Sequence, residues 1–330
     1  MRFFQKLIVA MSLLITAQSQ AFTPESGFWW NPNEPGSGYA IEIQDNFLFI
    51  ATYVYDEGGV PIWYTAGATM GGNAVFQDNL NYTYNGTCID CNYTPTTTLI
   101  GERGNIDIFF DTETTATIRF QGAVKNIERF NFILGDETER MLGEWQAVID
   151  FSDTNVEFPF NGDVLLFDLL TSSGGDDYAD GCRPDNAQDG FCSNYALNNH
   201  ETSATFDYQN NELLIVVDDS PDYWLAYYVD LGLNQFDGVV EIYPKNSGNN
   251  NIFYPVRGFR SASRSFIETG VGPSKKKAED ENKAVKGIAD SLPPLPTSKA
   301  MSEFTKAEQT KLLRQQTIIQ TMINRMGSRK

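Results

Sequence analysis

Histidine is almost missing: His200 is the only one in 330 residues. A Ser-His-Asp or Cys-His mechanism would have to run through it. Its surroundings, Asn198-Asn199-His200-Glu201, read as an exposed loop. Cysteine is scarce too, four in all, and with one histidine the set does not fit the spacing of a structural zinc site. Basic charge is the third scarcity. Residues 22–272 hold 10 Lys/Arg against 37 Asp/Glu, and their only lysines are Lys125 and Lys245. So acidic a body repels phosphate backbones and anionic headgroups, which argues against nucleic acid as a partner and against peripheral membrane docking. After residue 21 no apolar run approaches the roughly 20 residues a spanning helix needs, so no transmembrane segment is expected in the mature chain.

The N-terminus reads as an address. Arg2 and Lys6 lead into an apolar run from Leu7 to Ile15, and Ser19 and Ala21 form a small-x-small site. This predicts a signal peptide over residues 1–21, with Phe22 as the mature start, and an exported protein, periplasmic or extracellular. In an oxidising compartment the cysteines read as two local disulfides, Cys88 with Cys91 and Cys182 with Cys192. A redox role for the first pair would need a helix start to lower the thiol pKa. The flanks Asn85-Gly86-Thr87 and Asn92-Tyr93-Thr94-Pro95 are loop residues instead.

Period-2 alternation dominates the body. Tyr39–Gln44, Phe47–Tyr55, Pro61–Thr65, Val75–Tyr84, Asn105–Phe110, Thr115–Phe120 and Ile127–Leu134 read as strands joined by short turns. About eight strands in succession predict an all-β up-and-down meander or small β-barrel over residues 22–134. A second all-β domain is expected over 135–272, restarting at Gly143–Ile149. After Gly272 the composition changes. Residues 273–300, with Lys275-Lys276-Lys277 and Pro293-Pro294-Leu295-Pro296, read as a disordered linker. Residues 301–327 read as an amphipathic helix, with Leu312, Ile319 and Met326 seven apart and Met322 and Ile323 beside them. Such a helix either docks on the acidic body or pairs with another chain. The long linker favours a tethered helix for a protein partner or self-association.

The opening Gly27-Phe28-Trp29-Trp30-Asn31-Pro32 and the run Gly36-x-Gly38 to Ile41-Glu42-x-Gln44 carry a resemblance. So do Tyr55, Gly59, Pro61, Trp63 and Tyr64, with Thr115-Ala116-Thr117 and Ile127–Phe130 closing the pattern. Residues 24–134 resemble a WWNP-type β module of exported, largely uncharacterised bacterial proteins. The resemblance implies an exported β module and no reaction.

Three sites follow from the residues themselves. Trp29, Trp30, Tyr39, Tyr53, Tyr55, Trp63 and Tyr64 form a dense aromatic set that either lines an open barrel end, where a glycan or small amphiphile binds, or fills the interior. Glu42 and Arg129 lie on strands with these signatures and complete the candidate ligand site, as a structural ion pair if both point inward. Asp176-x-x-x-Asp180-Gly181 and Asp185-x-x-x-Asp189-Gly190 space acids as calcium loops do, although Tyr178 and Ala187 stand where middle ligands belong. A solvated acidic loop is the simpler reading. The function expected is non-catalytic binding of a small ligand, glycan or envelope partner. A structural or assembly role in the cell envelope comes second, and a carbohydrate hydrolase working through two carboxylates third.

Overall fold

The structure is a computed structural model. It describes residues 22–72, 74–132, 134–156, 158–184, 192, 200–264, 287–289, 292 and 300–329. The signal-peptide reading of residues 1–21, and Asp185 and Asp189, lie outside these. The chain divides into two compact units, Met1–Glu128 and Arg129–Lys330, slightly before the boundary expected at 134/135. Each unit is built on a closed antiparallel barrel of eight strands in sequence order, so the all-β reading holds in both.

The first barrel comprises β1 (Gly27–Trp30), β2 (Gly38–Gln44), β3 (Phe47–Tyr55), β4 (Pro61–Thr69), β5 (Val75–Tyr84), β6 (Thr97–Phe110), β7 (Thr115–Phe120) and β8 (Ala123–Arg129). Alternation builds its core: Tyr39 and Ile41, Leu48 and Ile50, Tyr64 and Ala66, then Ile106, Ile108 and Ile118 all point inward and are buried. Turn chemistry fixes the register. Asp45 takes φ 57° in the turn between β2 and β3, and Gln121-Gly122 take φ 48° and 81° between β7 and β8, the left-handed pair of a tight hairpin. Asp56 Oδ1 accepts the backbone N–H of Gly58 and of Val60, each at 2.9 Å, and pins the turn into β4. In the loop between β5 and β6, Cys88 and Cys91 form a disulfide with Cα atoms 5.1 Å apart, a loop staple as expected.

The second barrel comprises β9 (Gly143–Asp150), β10 (Phe160–Ser173), β11 (Asp176–Cys182), β12 (Thr202–Asp207), β13 (Glu212–Asp218), β14 (Tyr223–Leu231), β15 (Gln235–Pro244) and β16 (Phe253–Ser263). β16 pairs with β9 to close it. Cys182 ends β11 and joins Cys192, Cα to Cα 5.6 Å, and both are fully buried. Two disulfides fit an oxidising compartment.

Both barrels open on the same device. Gly27 and Gly143 take φ 133° and 134°, and the tryptophan two residues on is buried. The Trp29 indole N–H donates to the Glu25 carbonyl at 3.1 Å, and that of Trp145 to the Met141 carbonyl at 2.8 Å, each four residues back. At Gly143 a Cβ would lie 2.5 Å from the Ala262 carbonyl oxygen, so β9 and β16 meet closely only with glycine there.

The tail departs from expectation. Its helix, α1 (Lys306–Gly327), starts on a capping box between Thr305 and Glu308. Ile319, Met322 and Met326 are buried against the outer wall of the second barrel, on Tyr178, Leu214, Val216, Trp224 and Tyr228. The periphery is ionic: Arg314 pairs with Asp207, Lys311 with Glu212, and Arg325 and Arg329 with Asp180. The apolar stripe expected to capture a partner is therefore spent within the chain, because the acidic strands opposite match the basic helix and the wall beneath is apolar. Nor is 273–300 simply a linker, since Ala289 is buried in the barrel core with Ile288 and Leu292 packed against it. Among the described residues no helix is long and apolar enough to cross a membrane.

Candidate functional site

Strand alternation splits the predicted aromatic set in two. Trp29, Tyr39 and Tyr64 point inward and are buried, with Trp29 edge-on to Phe110 at 5.4 Å and Tyr64 tilted on Phe120 at 5.6 Å. Burial, with Glu34 nearby, pushes the Tyr39 hydroxyl up to about 12, so it stays protonated in the core. Trp30, Tyr53, Tyr55 and Trp63 point outward. The aromatics therefore do not gather at a barrel end; three of them make core and four make an outer wall.

That wall is larger than the sequence suggested. Tyr53 is 49% exposed and Trp63 48%, and the two are directly paired across β3 and β4. Gly38 of β2 sits opposite Tyr53 on the other side. One row along, Phe28, Ala40, Ala51 and Thr65 line up across the four strands. Beyond it come Glu42, Phe49 and Gly67, then Gln44, Phe47 and Thr69. Phe28, Phe47, Phe49 and Tyr55 are all exposed. The result is a shallow floor of Gly38, Ala40, Ala51 and Gly67 between aromatic banks. A Cβ on Gly67 would sit 3.3 Å from the Phe47 ring and 3.4 Å from that of Phe49, so both rings lean over that floor.

Glu42 is exposed on the same wall and accepts from the Gln44 amide at 3.3 Å. Acid and amide thus stand beside the Phe49 and Phe47 rings and offer hydrogen-bonding groups at the edge of the aromatic patch. Arg129 stands at the end of β8, half-buried, and donates to the Phe130 carbonyl at 3.3 Å. It is not on β1–β4 with the other candidates. Phe28, Phe47 and Phe49 join the wall without having stood out in the sequence, where each reads as an ordinary strand residue. Pairing alternation with register would have put them on one face.

The calcium reading meets a different geometry. Asp176–Cys182 is a strand, whose alternate residues face opposite ways and cannot wrap an ion. Asp180 is buried and accepts from Thr171 Oγ1 at 2.6 Å, Ser203 Oγ at 2.8 Å and Arg325 Nη1 at 2.9 Å. Burial alone would raise its carboxyl, but hydrogen bonds from Arg325, Arg329 and Thr171 outweigh that and hold it at about 2. This aspartate anchors α1. His200, expected in an exposed loop, is instead buried, with Nε2 2.9 Å from the Cys192 carbonyl oxygen. The disulfide brings that carbonyl inward, which the local sequence could not reveal.

No protein-family model matches this chain, and no curated protein matches it.

Proposed function

We propose that the chain is an exported, non-catalytic binding protein whose first barrel takes a glycan or small amphiphile on the aromatic outer wall of β1–β4. One observation carries this reading: Phe28, Phe47, Phe49, Tyr53, Tyr55 and Trp63 are exposed together on adjacent strands around a floor of small residues. Contiguous exposed apolar surface marks interaction sites, and flat rings pack against the apolar faces of sugars. Glu42 and Gln44 supply acceptors and a donor for hydroxyls. The WWNP-type resemblance and the leader-like residues 1–21 support export.

The test is a titration of tryptophan fluorescence with a panel of glycans and small amphiphiles. Quenching or a spectral shift is expected, and Trp63→Ala and Tyr53→Ala should abolish it. Silence across the panel removes the ligand reading. A protein partner on the same wall, and with it an assembly role in the envelope, is the second reading. It is favoured by the second barrel, whose apolar outer wall is covered by α1. Cross-linking that recovers a stable protein partner through this wall would select it.

A further inference from the structure

One end of the second barrel is built around a carboxylate that holds a piece of backbone. The ends of β11 and β13 and the starts of β10, β12 and β14 meet there. They bring together Arg183, Asp219 and Asp163. Arg183 forks onto Asp163 with two bonds of 2.9 Å and reaches Asp219 Oδ1 at 2.8 Å. The Tyr227 hydroxyl closes the set on Asp163 at 3.4 Å. The Arg183 backbone N–H is held by Glu201 at 2.7 Å. All of these groups belong to the barrel and its loops, so the cluster is assembled without the tail.

What completes it comes from far along the chain. Asp219 Oδ1 accepts the backbone N–H of Ile288 at 2.9 Å, and Oδ2 that of Ala289, also at 2.9 Å. Ala289 enters the core, and Ile288 and Leu292 pack against it. Gly287 lies flat on the site: a Cβ there would be 2.5 Å from Asp219 Oδ2, 2.7 Å from its carbonyl oxygen and 2.8 Å from Ser220 Cβ.

We infer that this barrel end is a peptide-binding site, with Gly287-Ile288-Ala289 and Leu292 as an occupant the chain supplies for itself. Asp163 and Asp219 share one guanidinium and Glu201 stands on the same residue's backbone, so acids outnumber the base in the built cluster. Two adjacent backbone N–H groups answer that excess. The complementary ligand is therefore a donor-bearing segment with glycine at its first position and small or aliphatic side chains after it; an anion is excluded. The inference concerns the second barrel and does not depend on the aromatic wall of the first. A tethered segment meets its site at an effective concentration on the order of millimolar, so the resident occupant masks the site from a free peptide of the same chemistry.

The experiment uses the full chain carrying Gly287→Val, whose side chain cannot be seated against Asp219. A fluorescein-labelled synthetic peptide of residues 285–294 is titrated and followed by anisotropy. The folded variant should bind it saturably at one to one, and the unsubstituted chain at least about tenfold more weakly because its own segment competes. A labelled peptide that itself carries Gly287→Val should bind neither chain. The inference is overturned if the variant loses cooperative unfolding, or if it folds and leaves the peptide free. Either result makes Ile288, Ala289 and Leu292 an integral part of the core.

Discussion

The guanidinium of Arg260 lies over the indole of Trp145, its Cζ 4.2 Å from the ring centroid. The same group donates to the carbonyls of Leu142 at 2.7 Å and Leu233 at 2.8 Å, and also to that of Arg140. One side chain on the last strand thus ties the barrel's closure to the turn that precedes its first strand. Arg260→Ala leaves those carbonyls without their donor and the ring without its cover. The expected loss is about 3 kcal/mol, read from denaturant unfolding of the full chain. Arg260→Lys keeps the charge but not the fork, and should fall between. Equal midpoints for all three proteins would refute this role.

The docked helix sets the second prediction. Ile319, on the inward face of α1, is fully buried, so Ile319→Ala should cost about 3 kcal/mol. Removing residues 300–330 should lower the melting temperature and expose an apolar wall that binds a hydrophobic dye. An unchanged melting temperature in the truncated protein would restore the tethered-helix picture.

Third, two aspartates of the second barrel give opposite pH slopes. Asp180 is held at about 2, below its ordinary value of 3.8, so the stability it contributes is present above about pH 4 and lost as pH falls toward 2. Asp230 is pushed up to about 6, first by burial and then by Glu212. Its stabilisation is therefore present below about pH 4 and lost as pH rises through 6. Melting temperature against pH should flatten between pH 4 and 6 in Asp230→Asn, and Asp180→Asn should weaken the acid-side loss. Parallel profiles for variant and parent would contradict the assignment.

Fourth, the two faces of the first barrel should respond oppositely to truncation. Trp63→Ala removes an outward ring and should change stability by no more than about 0.5 kcal/mol. Trp29→Ala empties the core and should cost about 4 kcal/mol. If Trp63→Ala proves as costly as Trp29→Ala, the outer wall is packing surface and not a free face.

Alternation makes the strands readable, as in Tyr39-Ala40-Ile41 and Thr115-Ala116-Thr117; the first barrel reads as a run of about eight strands, while the second reads only as a further all-β region, because closure leaves no local signal. The side each aromatic faces was legible in principle, because Trp29 and Trp30, like Trp63 and Tyr64, are adjacent and must point opposite ways. Density in the sequence therefore does not mean proximity at a barrel end. Asp163, Arg183 and Asp219 gave no signal, since they lie far apart and meet only when the strand ends converge. The fate of α1 was likewise hidden. An amphipathic stripe says that something covers it, and only the partner wall on β11–β15 says what.

Closure of both barrels has a consequence for how this protein can meet others. In a closed barrel every strand has a neighbour on both sides, so among the described residues neither sheet has a free edge strand. Addition of an incoming strand to a sheet edge, and aggregation by that route, therefore finds no edge strand among them. Recognition must go through side chains on a wall or through a segment received at a barrel end. Variants that open β16 from β9 should therefore create two edges and associate through their backbones.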